Sequence, residues 1–162
     1  MATQYAERPG SAAPGSDRGE RMTVARAFAL ALGVAFLAVG ALGFLRPLTD
    51  AGGDGLFVTG DAHLLGVFHV NWLHNLVHLG TGLLGLAAAA RTPSARLFAQ
   101  ALGVVYTLVF LIGLFTDDFL GLLPLNGADN ALHLATAATA LAVGFTPLGR
   151  RALGGARRRA TA

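Results

Sequence analysis

The sequence predicts an all-α membrane protein of four transmembrane helices, arranged as two parallel two-helix repeats. Three observations predict it. The 162-residue chain is 54% hydrophobic and 13% charged. A soluble domain carries roughly a quarter charged residues, so this chain lacks the polar atoms to coat a water-facing surface. Four apolar segments approach the roughly 20 residues that cross a bilayer, and Pro-, Gly- and charge-bearing stretches separate them. Finally, two stretches of the first half recur in the second.

Residues 1–22 are rich in Pro, Gly, Ser, Ala and charge and show no apolar period, which predicts a disordered cytoplasmic tail. Residues 23–146 hold the transmembrane domain. Its first helix is expected over 24–45. That run exceeds the roughly 7–15-residue apolar core of a signal peptide, and no small-x-small cleavage site follows, so it reads as retained. Residues 46–62 carry Pro47, Asp50, Asp54 and Asp61 among glycines and form an extramembrane loop. The second helix is expected over 64–90, longer than a span requires, so it projects, tilts or starts as an interfacial turn. Arg91 to Arg96 is a short loop before helix three, 97–115, and a second outer loop holds Asp117, Asp118 and Pro124 before helix four, 128–145. Residues 147–162 form an Arg-rich cytoplasmic tail.

Arginine placement sets the orientation. Arg8, Arg18, Arg21 and Arg26 precede helix one, Arg91 and Arg96 join helices two and three, and Arg150, Arg151, Arg157, Arg158 and Arg159 follow helix four. The opposite side has only Arg46. The positive-inside rule then places both termini of a multi-pass plasma-membrane protein in the cytoplasm. The net charge of +3 sits beside apolar segments and forms no basic face. Nucleic acid is therefore not an expected partner. The lipid bilayer is, with the arginines at its surface, and a homo-oligomer is left open.

The chain has no cysteine, which excludes disulfides, thiolate metal sites, iron–sulfur clusters and cysteine nucleophiles. Met1 and Met22 lie outside the apolar segments, which argues against a methionine-ligated haem. Ser94 is the only serine beyond the N-terminal tail, and no Gly-rich phosphate loop is present, so a soluble-type enzyme is not expected.

Residues 31–45, ALGVAFLAVGALGFL, match 101–115, ALGVVYTLVFLIGLF, at an offset of 70. Residues 74–81, HNLVHLGT, match 129–136, DNALHLAT, at an offset of 55. Each unit has an even number of helices, so both share one orientation and the repeat is parallel. Asn71, His74, Asn75, His78, Gly82 and Gly85 follow helical steps of three or four, and so do Asp129, Asn130, His133, Thr136, Ala137 and Ala140. Unpaired polar groups are costly in hydrocarbon, so both stripes are expected to face inward. The small residues below them are expected to bring helices two and four together, leaving a polar pocket near the outer leaflet.

The segments LLGVFHVNWLHNLVHLGTGLLGLA (64–87) and LNGADNALHLATAATALAVGF (125–145) resemble the domain of unknown function 4383 family, small bacterial four-helix membrane proteins. The resemblance covers roughly residues 25–146. Its most specific parts are His74-Asn75-x-x-His78 and Asp129-Asn130-x-x-His133. It implies membrane location and four helices, and it carries no activity or catalytic residue with it.

Three readings of the polar residues follow. In the leading one they are structural and bind no cofactor. Asn71, His74, Asn75, His78, Asp129, Asn130, His133 and Thr136 hydrogen-bond across the repeat interface, at about 0.6 kcal/mol for each bond. The protein would then be structural or accessory. In the second, His74, His78, His133 and Asp129 hold zinc or copper, with Asn75 or Asn130 orienting the rings. A haem held axially by His78 and His133 is the variant of that reading. In the third, the histidines relay protons or pass a small solute, although the cytoplasmic halves of the helices offer no polar continuation.

Overall fold

The computed structural model describes residues 21–58 and 60–153, so most of the tail expected at 1–22, and residues 154–162 of the one expected at 147–162, lie outside the described residues. Within them the chain is mostly helical, with four α-helices: α1 (Val24–Leu42), α2 (Trp72–Ala88), α3 (Thr92–Ile112) and α4 (Gly127–Phe145). α1 and α3 are long and apolar enough to cross a membrane, with mean hydropathies of 2.0 and 1.8.

Local chemistry explains where each helix starts. Thr23 caps α1 by accepting from the Arg26 N–H, and Asn71 caps α2 by accepting from the His74 N–H. Asn126 and Asp129 form a reciprocal capping box on α4. α3 has no such cap and carries Pro93 in its first turn, where a missing N–H costs nothing. That proline starts the helix at Thr92, ahead of the expected position 97. α1 and α3 end at the equivalent glycines Gly43 and Gly113, each short of its expected boundary.

The helix expected from position 64 begins only at Trp72. The residues before it form a hairpin, β1 (Ala62–Leu64) with β2 (Phe68–Val70), and the second unit repeats it with β3 (Asp118–Phe119) and β4 (Leu123–Pro124). Both three-residue connections, Leu65-Gly66-Val67 and Leu120-Gly121-Leu122, begin Leu-Gly with positive φ at both residues: 56° and 69° at Leu65-Gly66, and 60° and 71° at Leu120-Gly121. This is the backbone that a tight hairpin requires. Leucine seldom adopts it, so the apolar run at 64–70 carries no turn signature.

α1 packs along α2, α3 packs along α4, and the two pairs meet mainly through α1 and α3. Small residues dictate this arrangement. A Cβ on Gly82 would meet the backbone of Gly33 and Leu37, and a Cβ on Gly85 would meet Ala29 and Gly33. The small stripe of α2 is thus spent on α1. The stripe of α4 is spent on α3, where Ala137 and Ala140 pack with Leu102, Tyr106 and Phe36. The expected close approach of α2 to α4 does not occur, because each polar helix pairs with the apolar helix of its own unit.

The two inner ends of the units are closed alike. Arg26 Nε donates to the Ala89 carbonyl at 2.9 Å, and Arg96 Nη2 donates to the Gly144 carbonyl at 2.7 Å. Both guanidiniums thereby satisfy carbonyls at a helix C-terminus, where positive charge is favoured. Beyond α4, residues 147–150 make a 3-10 turn, and Leu153 N–H donates to the Met22 carbonyl at 2.8 Å, tying this stretch to the start of α1. At the opposite end, Arg46 gathers loop 46–58 around itself. Its guanidinium donates to the carbonyls of Gly55 at 2.8 Å and Phe57 at 2.9 Å, and also to those of Ala51 and Gly52.

Candidate functional site at the joint between the repeats

The hairpins place the N-terminus of α2 beside β4 and the N-terminus of α4 beside β2. Two asparagines use that placement reciprocally. Asn71 Nδ2 donates to the Leu122 carbonyl at 2.9 Å, and Asn126 Nδ2 donates to the Val67 carbonyl at 2.6 Å. Asn71 and Asn126 are repeat equivalents, and so are Val67 and Leu122. Each unit therefore caps its own polar helix with the asparagine oxygen and grips the other unit's turn with the asparagine nitrogen.

Beneath this exchange the two units diverge. The Asp129 carboxylate accepts from the His69 N–H at 3.1 Å and from the Asn126 N–H at 3.3 Å. The equivalents of Asp129 and His69 in the other unit are His74 and Pro124. Proline has no N–H to offer, so the bond between side chain and backbone is made on one side of the joint only.

The predicted residues separate into two groups. Asn75 and Asn130 are buried but turn toward their own units, each with its amide packed on the glycine that ends the neighbouring helix, Gly43 and Gly113. A side chain on either glycine would overlap the amide. His74, His78 and His133 instead gather with two aromatic rings. His74 and His78 stack at 4.6 Å with their planes 8° apart. His78 lies 5.2 Å from Phe36, His133 lies edge-on to Tyr106 at 5.3 Å, and Phe36 stacks on Tyr106 at 5.7 Å. His78 Nδ1 reaches the His74 carbonyl at 3.1 Å, which fixes the proton on that nitrogen. Thr136 lies beside this group on the wall of a cavity.

Among the described residues, no three His, Cys, Asp or Glu side chains group so as to hold a metal ion. The expected set of His74, His78, His133 and Asp129 does not converge. Parallel stacking of His74 on His78 keeps the two rings' in-plane lone pairs off a common point, and Asp129 is engaged by two backbone N–H groups.

Three residues of the joint, Phe36, Tyr106 and Asn126, are absent from the sequence-based set. The repeat itself held the signal. Tyr106 is Phe36 displaced by 70 positions, and Asn126 is Asn71 displaced by 55.

Fold and joint together define a class: a two-unit helical protein with membrane-like helices and a buried polar seam at one end. A family model described as Domain of unknown function (DUF4383) matches residues 26–146, and the chain belongs to that family. No curated protein and no solved structure matches the chain.

Proposed function

We propose that this protein is a multi-pass plasma-membrane protein in which all four helices span the bilayer and both termini face the cytoplasm. Its role is structural or accessory, and the polar joint holds the two repeats in register near the outer leaflet. One observation carries the reading: polarity and exposure are inverted relative to a water-soluble fold. His74, Asn75, Asp129, Asn130 and His133 are buried. Leu30, Val34, Leu83, Leu84, Val104, Leu108, Leu132 and Leu134 are exposed, so all four helices turn large apolar side chains outward. In water that surface would drive aggregation, whereas in hydrocarbon it costs nothing.

The native chain has no cysteine, which makes the test direct. Single cysteines are introduced as Asp54→Cys in the outer loop and Ser94→Cys between α2 and α3, and intact cells are treated with a membrane-impermeant maleimide. The expected result is labelling of Asp54→Cys only, with Ser94→Cys labelled after permeabilisation. Labelling of Ser94→Cys in intact cells, with Asp54→Cys protected, would refute the orientation.

A further inference from the structure

Two cavities flank the histidine group, and they are repeat-related. The first, about 240 Å³, lies between α2 and α3 and is walled by Thr81, Leu102, Val105 and Val109. The second, about 280 Å³, lies between α4 and α1 and is walled by Thr136, Leu32, Ala35 and Val39. Every one of those four pairs is an equivalent pair in the repeat. His74, His78, Tyr106 and His133 line both cavities, so one polar partition separates two apolar clefts.

The partition is not self-satisfied. His74 is 6% exposed and His133 7%, and in each the Nδ1 atom is buried without a hydrogen-bond partner. A buried imidazole nitrogen left alone is costly, and the joint's other hydrogen bonds do not reach it. The residues that secure the joint, Asn71, Asn126 and Asp129, are thus distinct from those left over. The chemistry around the leftover nitrogens carries no positive charge and is rich in flat rings. No arginine lines either cavity and the Asp129 carboxylate lines the second, so an acidic or phosphorylated head group would be buried without a counter-charge. Phe36, Tyr106 and the stacked His74 and His78 rings offer faces to a planar group. The walls beyond them are aliphatic and, on the membrane reading above, open to lipid tails.

We infer that these clefts bind a lipid-soluble quinone or quinol. Its ring lies against the aromatic partition, its oxygen hydrogen-bonds to His74 or His133, and its tail leaves between α2 and α3 or between α4 and α1. An imidazole suits both forms of such a ligand, since its ring N–H can donate to a carbonyl and its bare nitrogen can accept from a hydroxyl. A cavity of this size takes the head group and leaves the tail in the bilayer.

The inference rests on the membrane reading, and its test is separate from the labelling experiment. Trp72 is the only tryptophan and lies two residues from His74, so its fluorescence reports on the site. Decylubiquinone is titrated into the full-length protein in phosphatidylcholine nanodiscs, with oleate as competitor. Saturable quenching is expected, unaffected by oleate. In His74→Phe and His133→Phe the affinity falls roughly tenfold, as for a lost hydrogen bond to a buried partner. Ala101→Phe and Ala35→Phe fill the clefts from their exposed walls without touching the partition. They weaken binding even if the histidine variants fail to fold. Quenching that never saturates, or that is unchanged in the cleft-filling variants, overturns the inference. Equal displacement by oleate overturns the quinone assignment in favour of an acyl-chain site. A reversed labelling pattern with saturable binding would refute the topology alone, and absent binding with the expected pattern would refute the ligand alone.

Discussion

The first unit (α1, β1–β2, α2) and the second (α3, β3–β4, α4) share their hairpin turns, their gripping asparagines, their glycine-packed amides and their arginine-capped ends. They differ in which positions bring their helices together. Where α2 has Gly82 and Gly85, α4 has Ala137 and Ala140. Gly82 meets the backbone of α1 directly, whereas the second unit makes its direct backbone approaches at other positions, Gly103 against Leu141 and Gly144 against Gln100. Shared features lie both across the joint and within each unit: the Arg26 and Arg96 caps and the Asn75 and Asn130 amides each sit inside one unit, while the joint itself bonds Asp129 to His69 on one side only.

The largest expected effect breaks that difference. Gly82→Ala places a methyl against the backbone of α1, and overpacking of this kind costs about 1–3 kcal/mol. The reverse change, Ala137→Gly, brings the second unit to the first unit's residue and costs only about 1 kcal/mol of helix propensity. Thermal unfolding in detergent should show Gly82→Ala as the less stable variant. The opposite ranking would mean that the α1–α2 contact at Gly82 has room for a methyl.

Next in size is the joint. Asn126→Ala removes a helix cap, one half of a capping box and the grip on Val67. The cap alone is worth about 0.5–2 kcal/mol. Asn71→Ala loses a cap and a grip but no box, so it should fall short of Asn126→Ala in lost stability. In a double mutant the losses should be less than additive, because one joint is opened by either change. Strict additivity would show that the two asparagines act independently.

The arginine caps give a smaller contrast. Gly144's carbonyl also accepts from Gln100 Nε2 at 3.0 Å, so it keeps a donor when Arg96 is replaced. Arg26→Gln should therefore destabilise more than Arg96→Gln, each within the roughly 0.3–1 kcal/mol typical of a charge at a helix terminus. Equal losses would show that Gln100 is no substitute.

What the sequence disclosed follows from the kind of signal involved. The apolar runs, the arginine asymmetry and the Asn-x-x-His repeat are properties of composition and spacing, and they gave four helices and most of the buried polar residues. The hairpins were hidden, because Leu65-Gly66 and Leu120-Gly121 interrupt no apolar run and lack the Asn or Asp that usually announces a tight turn. The partners of the small stripes were also hidden. Periodicity shows that Gly82 and Ala137 face something, but only the three-dimensional arrangement shows that each faces its own unit. Two of the arginines expected to be topology signals close helix ends: Arg26 and Arg96 each donate to a carbonyl at a helix C-terminus, which spacing alone does not reveal.

The smallest effect sits in the loop that only the first unit elaborates. Asp50 accepts from the His63 backbone N–H at 2.6 Å and pairs with His63 Nδ1 at 2.8 Å. These bonds, the backbone one foremost, hold its carboxyl below the ordinary value of 3.8. A lowered folded-state value means that the carboxylate stabilises the loop above the ordinary value. That stabilisation fades as pH falls through the lowered one. Protection of the His63 amide from hydrogen exchange should therefore decline as pH drops below 3.8, after correction for the intrinsic pH dependence of exchange. In Asp50→Asn the decline should vanish, because the amide has no proton to gain over that range. The second unit has no counterpart to this pair and supplies the internal control: the Leu125 amide, bonded to the Asp117 carbonyl at 2.7 Å, should hold its protection over the same interval. If both amides lose protection together, the acid response belongs to the joint as a whole and not to the loop that distinguishes the first repeat.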